Sequence, residues 1–186
     1  MSVIEIPDFV NNQYAEYIEN HILREGFPWF YQKNVTRYRD EVDCDEDHNS
    51  GFYHMIYLDD TIGTHETYNL LIPLILSIEE KTGIKLNKLH RMRLGLLINN
   101  SKGLHDQPHI DFDFPHYTAC YYVNDSEGDT FVFNETYSEQ QPETFSIKHR
   151  SSPQRGKLTL FDGSHYHASS KPKHDIPRIV LTVNFS

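Results

Sequence analysis

The spacing of hydrophobic positions changes partway along the chain. In the first part it is helical. After a short extended segment at residues 3–6, Phe9, Val10, Tyr14, Tyr17, Ile18 and Ile22 recur at helical intervals behind Pro7-Asp8, and Gly26 and Pro28 end the pattern. A second helix is predicted over residues 66–81, with Tyr68, Leu71, Ile72, Ile75 and Ile78 as its apolar stripe and Gly83 as its stop. From residue 88 the period falls to two. Short strands bounded by turn residues are predicted at 89–98, 109–114, 117–123, 130–133, 144–149, 157–161, 164–169 and 178–185. Helices first and strands afterwards predict an α+β chain, a sandwich or jelly roll with N-terminal helices packed on one sheet. With 186 residues the expected organisation is a single domain, 1–87 forming helical support and 88–186 the strand-rich core.

Charge narrows the partners. Against 17 Lys and Arg stand 27 Asp and Glu, a net charge of −10 that repels polyanions, so no nucleic-acid partner is expected and a neutral or basic substrate is favoured. The apolar run at residues 70–76 contains Pro73 and falls far short of the ~20 residues that span a bilayer, so no membrane partner is expected. The N-terminal residues lack the basic start and apolar stretch of a secretory signal. Cys44 and Cys120 form neither a disulfide framework nor a Cys-x-x-Cys site, and a cytoplasmic location is predicted. The acidic run at 40–51 is not a calcium loop: counted from Asp43, His48 falls where the turn glycine belongs and His54 where the bidentate glutamate belongs. A solvated acidic loop is predicted there. Near turns, His105, His116, His149 and His174 are predicted exposed, and Trp29, Phe30 and Tyr31 are predicted to form a packed N-terminal wedge.

The candidate chemistry starts at residues 109–114. His109, Asp111 and Asp113 alternate with Ile110, Phe112 and Phe114, so on a strand the three ionisable groups share one face. Two positions along a strand is about 6 to 7 Å at the backbone, close enough for His109 and Asp111 to converge on one metal ion. Asp113 reads as a carboxylate that orients a ligand. A third ligand is offered by the segment 164–169, where His165 and His167 have the same parity. Two His and one carboxylate leave three positions of an octahedral ion open, the donor set of non-haem Fe(II) oxygenases. The last strand adds a cation: Arg178, Val180, Thr182 and Asn184 share a face, and a guanidinium fork beside a hydroxyl suits a small-molecule carboxylate.

These residues together resemble the Fe(II)- and 2-oxoglutarate-dependent dioxygenases, in particular the prolyl-4-hydroxylase-like branch in its small stand-alone form. The resemblance covers residues 88–186 and rests on His109-x-Asp111, the segment Thr118-Ala119-Cys120-Tyr121-Tyr122-Val123-Asn124, a Gly-Asp-Thr turn at Gly128 to Thr130, a distal His, and Arg178-x-x-x-Thr182. It implies a double-stranded β-helix (jelly roll), with Fe(II) held by His109, Asp111 and His167. His167 is preferred to His165 because Ala168 and Arg178 follow it at the family's spacing. The resemblance also implies Arg178 on the distal carboxylate of 2-oxoglutarate, Tyr122 and Thr182 as its hydrogen-bond partners, dioxygen as co-reactant, and ascorbate as an accessory. The implied reaction is hydroxylation of an unactivated carbon, in a prolyl residue of a peptide or protein, or alternatively in an amino acid or other small molecule. A non-catalytic jelly-roll binding module is the reading from another class. The chain departs from the family twice: Ile98-Asn99-Asn100 stands where prolyl hydroxylases carry Tyr-Pro-Gly, and Asn184 stands where nucleic-acid dealkylases carry a second arginine.

Overall fold

In a computed structural model of the chain, which describes residues 2–33, 35, 50–99, 104–138, 140 and 142–186, strand parity sorts apolar from functional side chains. The elements in chain order are β1 (Ile4–Ile6), α1 (Asn12–Leu23), β2 (Phe30–Gln32), β3 (Gly51–Leu58), β4 (Thr61–Ile62) and α2 (His65–Thr82). They continue with β5 (Leu89–Leu97), β6 (Tyr117–Tyr122), β7 (Thr130–Thr136), β8 (Ile147–Ser151), β9 (Leu158–Asp162), β10 (His165–Ser169) and β11 (Arg178–Phe185). A major sheet runs β1-β9-β6-β11-β5-β3-β2, with β4 beside β3, and a minor sheet runs β10-β7-β8. The strand pairs are antiparallel.

One face of the major sheet is apolar. Ile179, Leu181, Val183 and Phe185 of β11 join Met92 and Leu94 of β5 and Ala119 and Tyr121 of β6 in the main core. Both helices bury their stripes in that cluster, Ala15, Ile18 and Ile22 from α1 and Leu71, Leu74, Ile75 and Ile78 from α2. Local chemistry sets their ends. Asn11 caps α1 by accepting the Tyr14 amide at 2.9 Å, and Gly83 closes α2 in the left-handed region at φ 70°, its N–H donating to the Glu79 carbonyl. The other face of β11 and its neighbours looks toward the minor sheet, where Val132 packs on Tyr122 and Val180. Two antiparallel sheets facing each other, with the helices outside the larger one, form the double-stranded β-helix expected from the sequence.

Two differences from the expected elements have physical causes. Strands β2 to β4 lie in the part expected to be helical support and widen the major sheet. A bulge between Met55 and Tyr57 puts two buried residues, Ile56 and Tyr57, in succession and breaks the two-residue period that would mark a strand. Residues 109–114 are not a strand: only His109 pairs, with His167. Pro108 and Pro115 remove backbone donors on either side, Asp111 and Phe112 turn inward, and Asp113 is exposed. The strands expected at 144–149 and 130–133 lie at Ile147–Ser151 and Thr130–Thr136. The acidic run and Cys44 fall outside the described residues. Trp29 packs against the main core, whereas Phe30 and Tyr31 are exposed, so the expected wedge is one residue. Among the described residues no helix is long and apolar enough to cross a membrane.

His116 is buried, against expectation, because a distant glycine makes room for it. A Cβ on Gly163 would lie 2.2 Å from the His116 Nε2, while the other side of the ring meets Phe112 edge-on at 5.4 Å. The Gly163 amide also donates to the His116 carbonyl at 2.8 Å. Gly163→Ala is therefore expected to destabilise the fold by about 1–3 kcal/mol through overpacking. Urea denaturation would show it as a lower midpoint at unchanged slope.

Candidate metal and cosubstrate site

His109, Asp111 and His167 are brought together between the sheets, with one potential donor atom of each within 4.8 Å of the others. The His109–His167 pairing does this: each amide donates to the other residue's carbonyl, at 3.0 and 2.9 Å, and the ring centroids lie 4.5 Å apart. Each Nδ1 sits 3.3 Å from a backbone carbonyl, of Gln107 for His109 and of His165 for His167. A carbonyl can only accept, so both rings carry the proton on Nδ1 and present Nε2 as a lone pair. Burial, and then the neighbouring His167, push His109 down to about 3; burial likewise lowers His167, against the pull of Asp111. Both imidazoles are thus neutral at physiological pH, the form a metal ion takes.

Asp111 is held by two residues from the major sheet. Its Oδ1 meets Arg91 Nη2 at 2.5 Å with both side chains buried, and its Oδ2 accepts from Asn184 Nδ2 at 2.8 Å. Asn184 is itself fixed, donating to Thr118 Oγ1 at 3.0 Å and accepting from Arg91 Nε at 3.0 Å, which settles which end of the amide is which. Burial alone would raise the Asp111 carboxyl, but Arg91 and the two imidazoles hold it well below the usual carboxylate range. Asn184→Ala should leave the three donors in place but loosen the carboxylate, and a fall in metal affinity of about 10–100-fold is expected from a Mn(II) titration.

A second constellation shares the cavity, which with its open mouth spans about 730 Å³. Arg178 is buried; its Nε donates to the Gly128 carbonyl at 2.6 Å and its Nη2 to Thr130 Oγ1 at 2.7 Å. Among the described residues no carboxylate forms an ion pair with it, and burial lowers its pKa. Gly128 is at φ 92°, and a Cβ there would lie 2.4 Å from the Ser170 carbonyl, so only glycine can present this carbonyl to Arg178. Thr182 lines the same cavity, four residues along β11 from Arg178. Tyr122 does not line it: fully buried, it donates to Thr130 Oγ1 at 2.9 Å and so reaches Arg178 through Thr130. His165 is apart from the cluster, its Nε2 2.8 Å from Lys148 Nζ.

Four further residues, Arg91, Arg93, Asp106 and Thr130, belong to the site although sequence reasoning does not single them out. Asp106 lines the cavity with its Oδ2 lacking a hydrogen-bond partner among the described residues, and burial raises its carboxyl despite Lys171 and Arg178 nearby. Asn184 is on the correct face of β11, but nothing in the sequence pairs it with a residue 73 positions away.

No protein-family model and no curated protein sequence matches the chain. Solved structures do. A 2OG-Fe(II) oxygenase-family oxidoreductase from Burkholderia pseudomallei superposes with a TM-score of 0.68 at 12% identity, over 100% of this chain and 85% of that one. The non-heme alpha ketoglutarate dependent epimerase of nogalamycin biosynthesis gives 0.67 at 15%, over 99% and 78%. A Pseudomonas putida prolyl-4-hydroxylase gives 0.60 at 14%, over 99% and 91%. The chain therefore has the double-stranded β-helix fold of the 2-oxoglutarate- and Fe(II)-dependent oxygenases.

Proposed function

We propose that the protein is an Fe(II)- and 2-oxoglutarate-dependent oxygenase that hydroxylates an unactivated carbon. The observation that carries this reading is the presence in one cavity of a donor set of two neutral imidazoles and one carboxylate, His109 half-buried and Asp111 and His167 buried, and of a buried guanidinium with no anionic partner among the described residues. Each fits its group. Two imidazole nitrogens and one carboxylate suit Fe(II) and leave positions for a bidentate ligand, and a guanidinium fork held by Thr130 suits the far carboxylate of a five-carbon diacid. His109, Asp111 and His167 would hold the iron; Arg178, with Thr130 and Thr182, would hold 2-oxoglutarate. When bound, iron, 2-oxoglutarate and dioxygen supply the oxidising equivalent for attack on a C–H bond.

The chain's own residues do the positioning. The Nδ1-to-carbonyl bonds orient the two imidazoles, and Arg91 and Asn184 keep Asp111 ionised and aimed between them. Tyr122 and Thr130 brace Arg178 from behind, and the apolar packing of Val132, Tyr122 and Val180 keeps bulk water from that end. The resemblance supports a prolyl residue of a peptide as substrate, but the similar structures include an epimerase and a carbocyclase of nogalamycin biosynthesis alongside prolyl hydroxylases. Anaerobic addition of Fe(II) and 2-oxoglutarate should give a weak visible charge-transfer band, and admission of air should release succinate. Absence of both would point to a binding module.

A further inference from the structure

Three guanidiniums, Arg91, Arg93 and Arg178, line the cavity with two carboxylates, Asp106 and Asp111. Arg91 is committed to Asp111 and Asn184. Asp106 lies in the field of Lys171 and Arg178. Arg93 has only neutral hydrogen-bond and ring partners among the described residues, with Asp111 in range of its charge. Its Nη2 donates to Gln32 Oε1 at 2.6 Å, its Nη1 lies 3.5 Å from the Val35 carbonyl, and its guanidinium sits 5.3 Å from the centre of the Tyr53 ring. Among the described residues no carboxylate forms an ion pair with it. Burial, with Arg91 next in effect, brings its pKa down to about 10, so it stays charged in a place where charge is costly.

Its row in the sheet lies between those of the two tasks already assigned. On β5, Arg91, Arg93, Gly95 and Leu97 face the cavity in succession. Arg91 is paired with Asn184, in the row that holds Asp111; Arg93 is opposite Thr182, one step along; Arg178 is opposite Leu97, two steps further and about 13 Å along the strand. Arg178 and Thr182, assigned to 2-oxoglutarate, are on β11, whereas the Arg93 guanidinium is drawn to the other side of β5, to Gln32 of β2 and Tyr53 of β3, which leaves it without an assigned oxyanion. The wall beyond Arg93 is aromatic: Phe52 lines the cavity, Tyr53 stacks under the guanidinium, and exposed Phe30 and Tyr31 pack on these two at 5.9 and 5.8 Å.

We propose that Arg93 anchors an oxyanion of the substrate, and that the substrate is a small organic acid, bearing a carboxylate or a phosphate on an apolar or aromatic body, that enters the cavity whole. The inference rests on the oxygenase reading for what happens to the substrate, but not for the binding itself. It reverses the expectation drawn from overall charge: the chain is −10, while the cavity wall is cationic at this point. A guanidinium fork discriminates an oxyanion from its neutral isostere by both charge and paired donors.

The test uses benzoate, phenyl phosphate and neutral benzamide as probes on the full chain loaded with Mn(II) and 2-oxoglutarate, by calorimetry. One or both anions should bind at least about tenfold more tightly than benzamide, a preference for phenyl phosphate marking a phosphorylated substrate and for benzoate a carboxylic acid. R93Q should lose at least about tenfold of that anion affinity while holding Mn(II) and 2-oxoglutarate as the parent does; R93K, which keeps the charge, should retain part of it and controls for folding. Equal binding of benzoate and benzamide, anion binding unchanged in R93Q, or no binding of either anion would overturn the proposal. Failure of the parent protein to bind Mn(II) or 2-oxoglutarate would sink the oxygenase reading instead, and the anion arm, repeated on the metal-free protein, still reads Arg93. In a screen of stimulated succinate release, small acids should act; stimulation by acidic peptides alone would overturn the small-molecule assignment.

Discussion

Asp111→Ala should abolish succinate release and cost more than about 100-fold in Fe(II) affinity, since losing a donor exceeds the 10–100-fold typical of losing a group that only orients one. Its effect on the metal-free protein is equally diagnostic. Among the described residues, the substitution leaves Arg91 buried with Asn184 Oδ1 and the face of Phe112, 5.2 Å away, as company. Breaking a buried ion pair from one side costs about 3–5 kcal/mol because the remaining charge has no compensation. Because Asp111 titrates below the usual carboxylate range in the fold, the deficit should be full above that range and shrink at more acid pH, as the native carboxylate takes up its proton. Replacing Arg91 with Met in the same chain should recover much of the stability and none of the metal affinity. Urea unfolding of the apo variants, with a parallel Fe(II) titration, separates the two effects. Unchanged apo stability would show that the Arg91–Asp111 pair is not an uncompensated buried charge, and succinate release at the parent rate would remove Asp111 from the ligand set.

How legible this site is in the sequence depends on whether a residue's partner lies on its own strand. β11 reads well because its two faces differ in kind, Ile179, Leu181, Val183 and Phe185 against Arg178, Val180, Thr182 and Asn184, and alternation is a local property. His109 and Asp111 stand out by strand spacing, although the segment is not a strand. The two residues converge because His109 pairs with His167 and because Arg91 and Asn184 draw Asp111 inward. The arginines of β5 escape notice since Arg91-Met92-Arg93-Leu94 reads equally as a strand with a solvated face; only the sheet that covers it, built from residues more than 30 positions downstream, makes that face an interior. Thr130 is visible as part of a turn, and its hydroxyl's place between Tyr122 and Arg178 follows from sheet packing. His116 defies its local pattern for the same reason: the glycine that makes room for it is 47 residues away.

Arg178→Met should separate cosubstrate binding from folding more sharply than any other change in the cavity. A charge-assisted hydrogen bond contributes about 1.5–3 kcal/mol, so losing a two-pronged contact should weaken 2-oxoglutarate binding by about 100-fold or more. Folding of the metal-free protein should change far less, because two effects oppose each other. Met of similar length removes a buried cation that has no anionic partner among the described residues, which favours the variant. It also strips the Gly128 carbonyl of the Arg178 donor and leaves Thr130 Oγ1 with Tyr122 alone of its two donors, and an unsatisfied buried acceptor costs about 1–3 kcal/mol. Thermal melting with and without cosubstrate exposes the difference. At 100 times its dissociation constant, 2-oxoglutarate should stabilise the Mn(II)-loaded parent by about 2.7 kcal/mol and the variant, at the same concentration, by less than about 0.5. Tyr122→Phe should fall between them, because its hydroxyl reaches Arg178 only by way of Thr130. Protection of Arg178→Met equal to that of the parent would mean that another cation of the cavity, Arg93, takes the distal carboxylate, and the separate roles argued for Arg93 and Arg178 would then have to be exchanged.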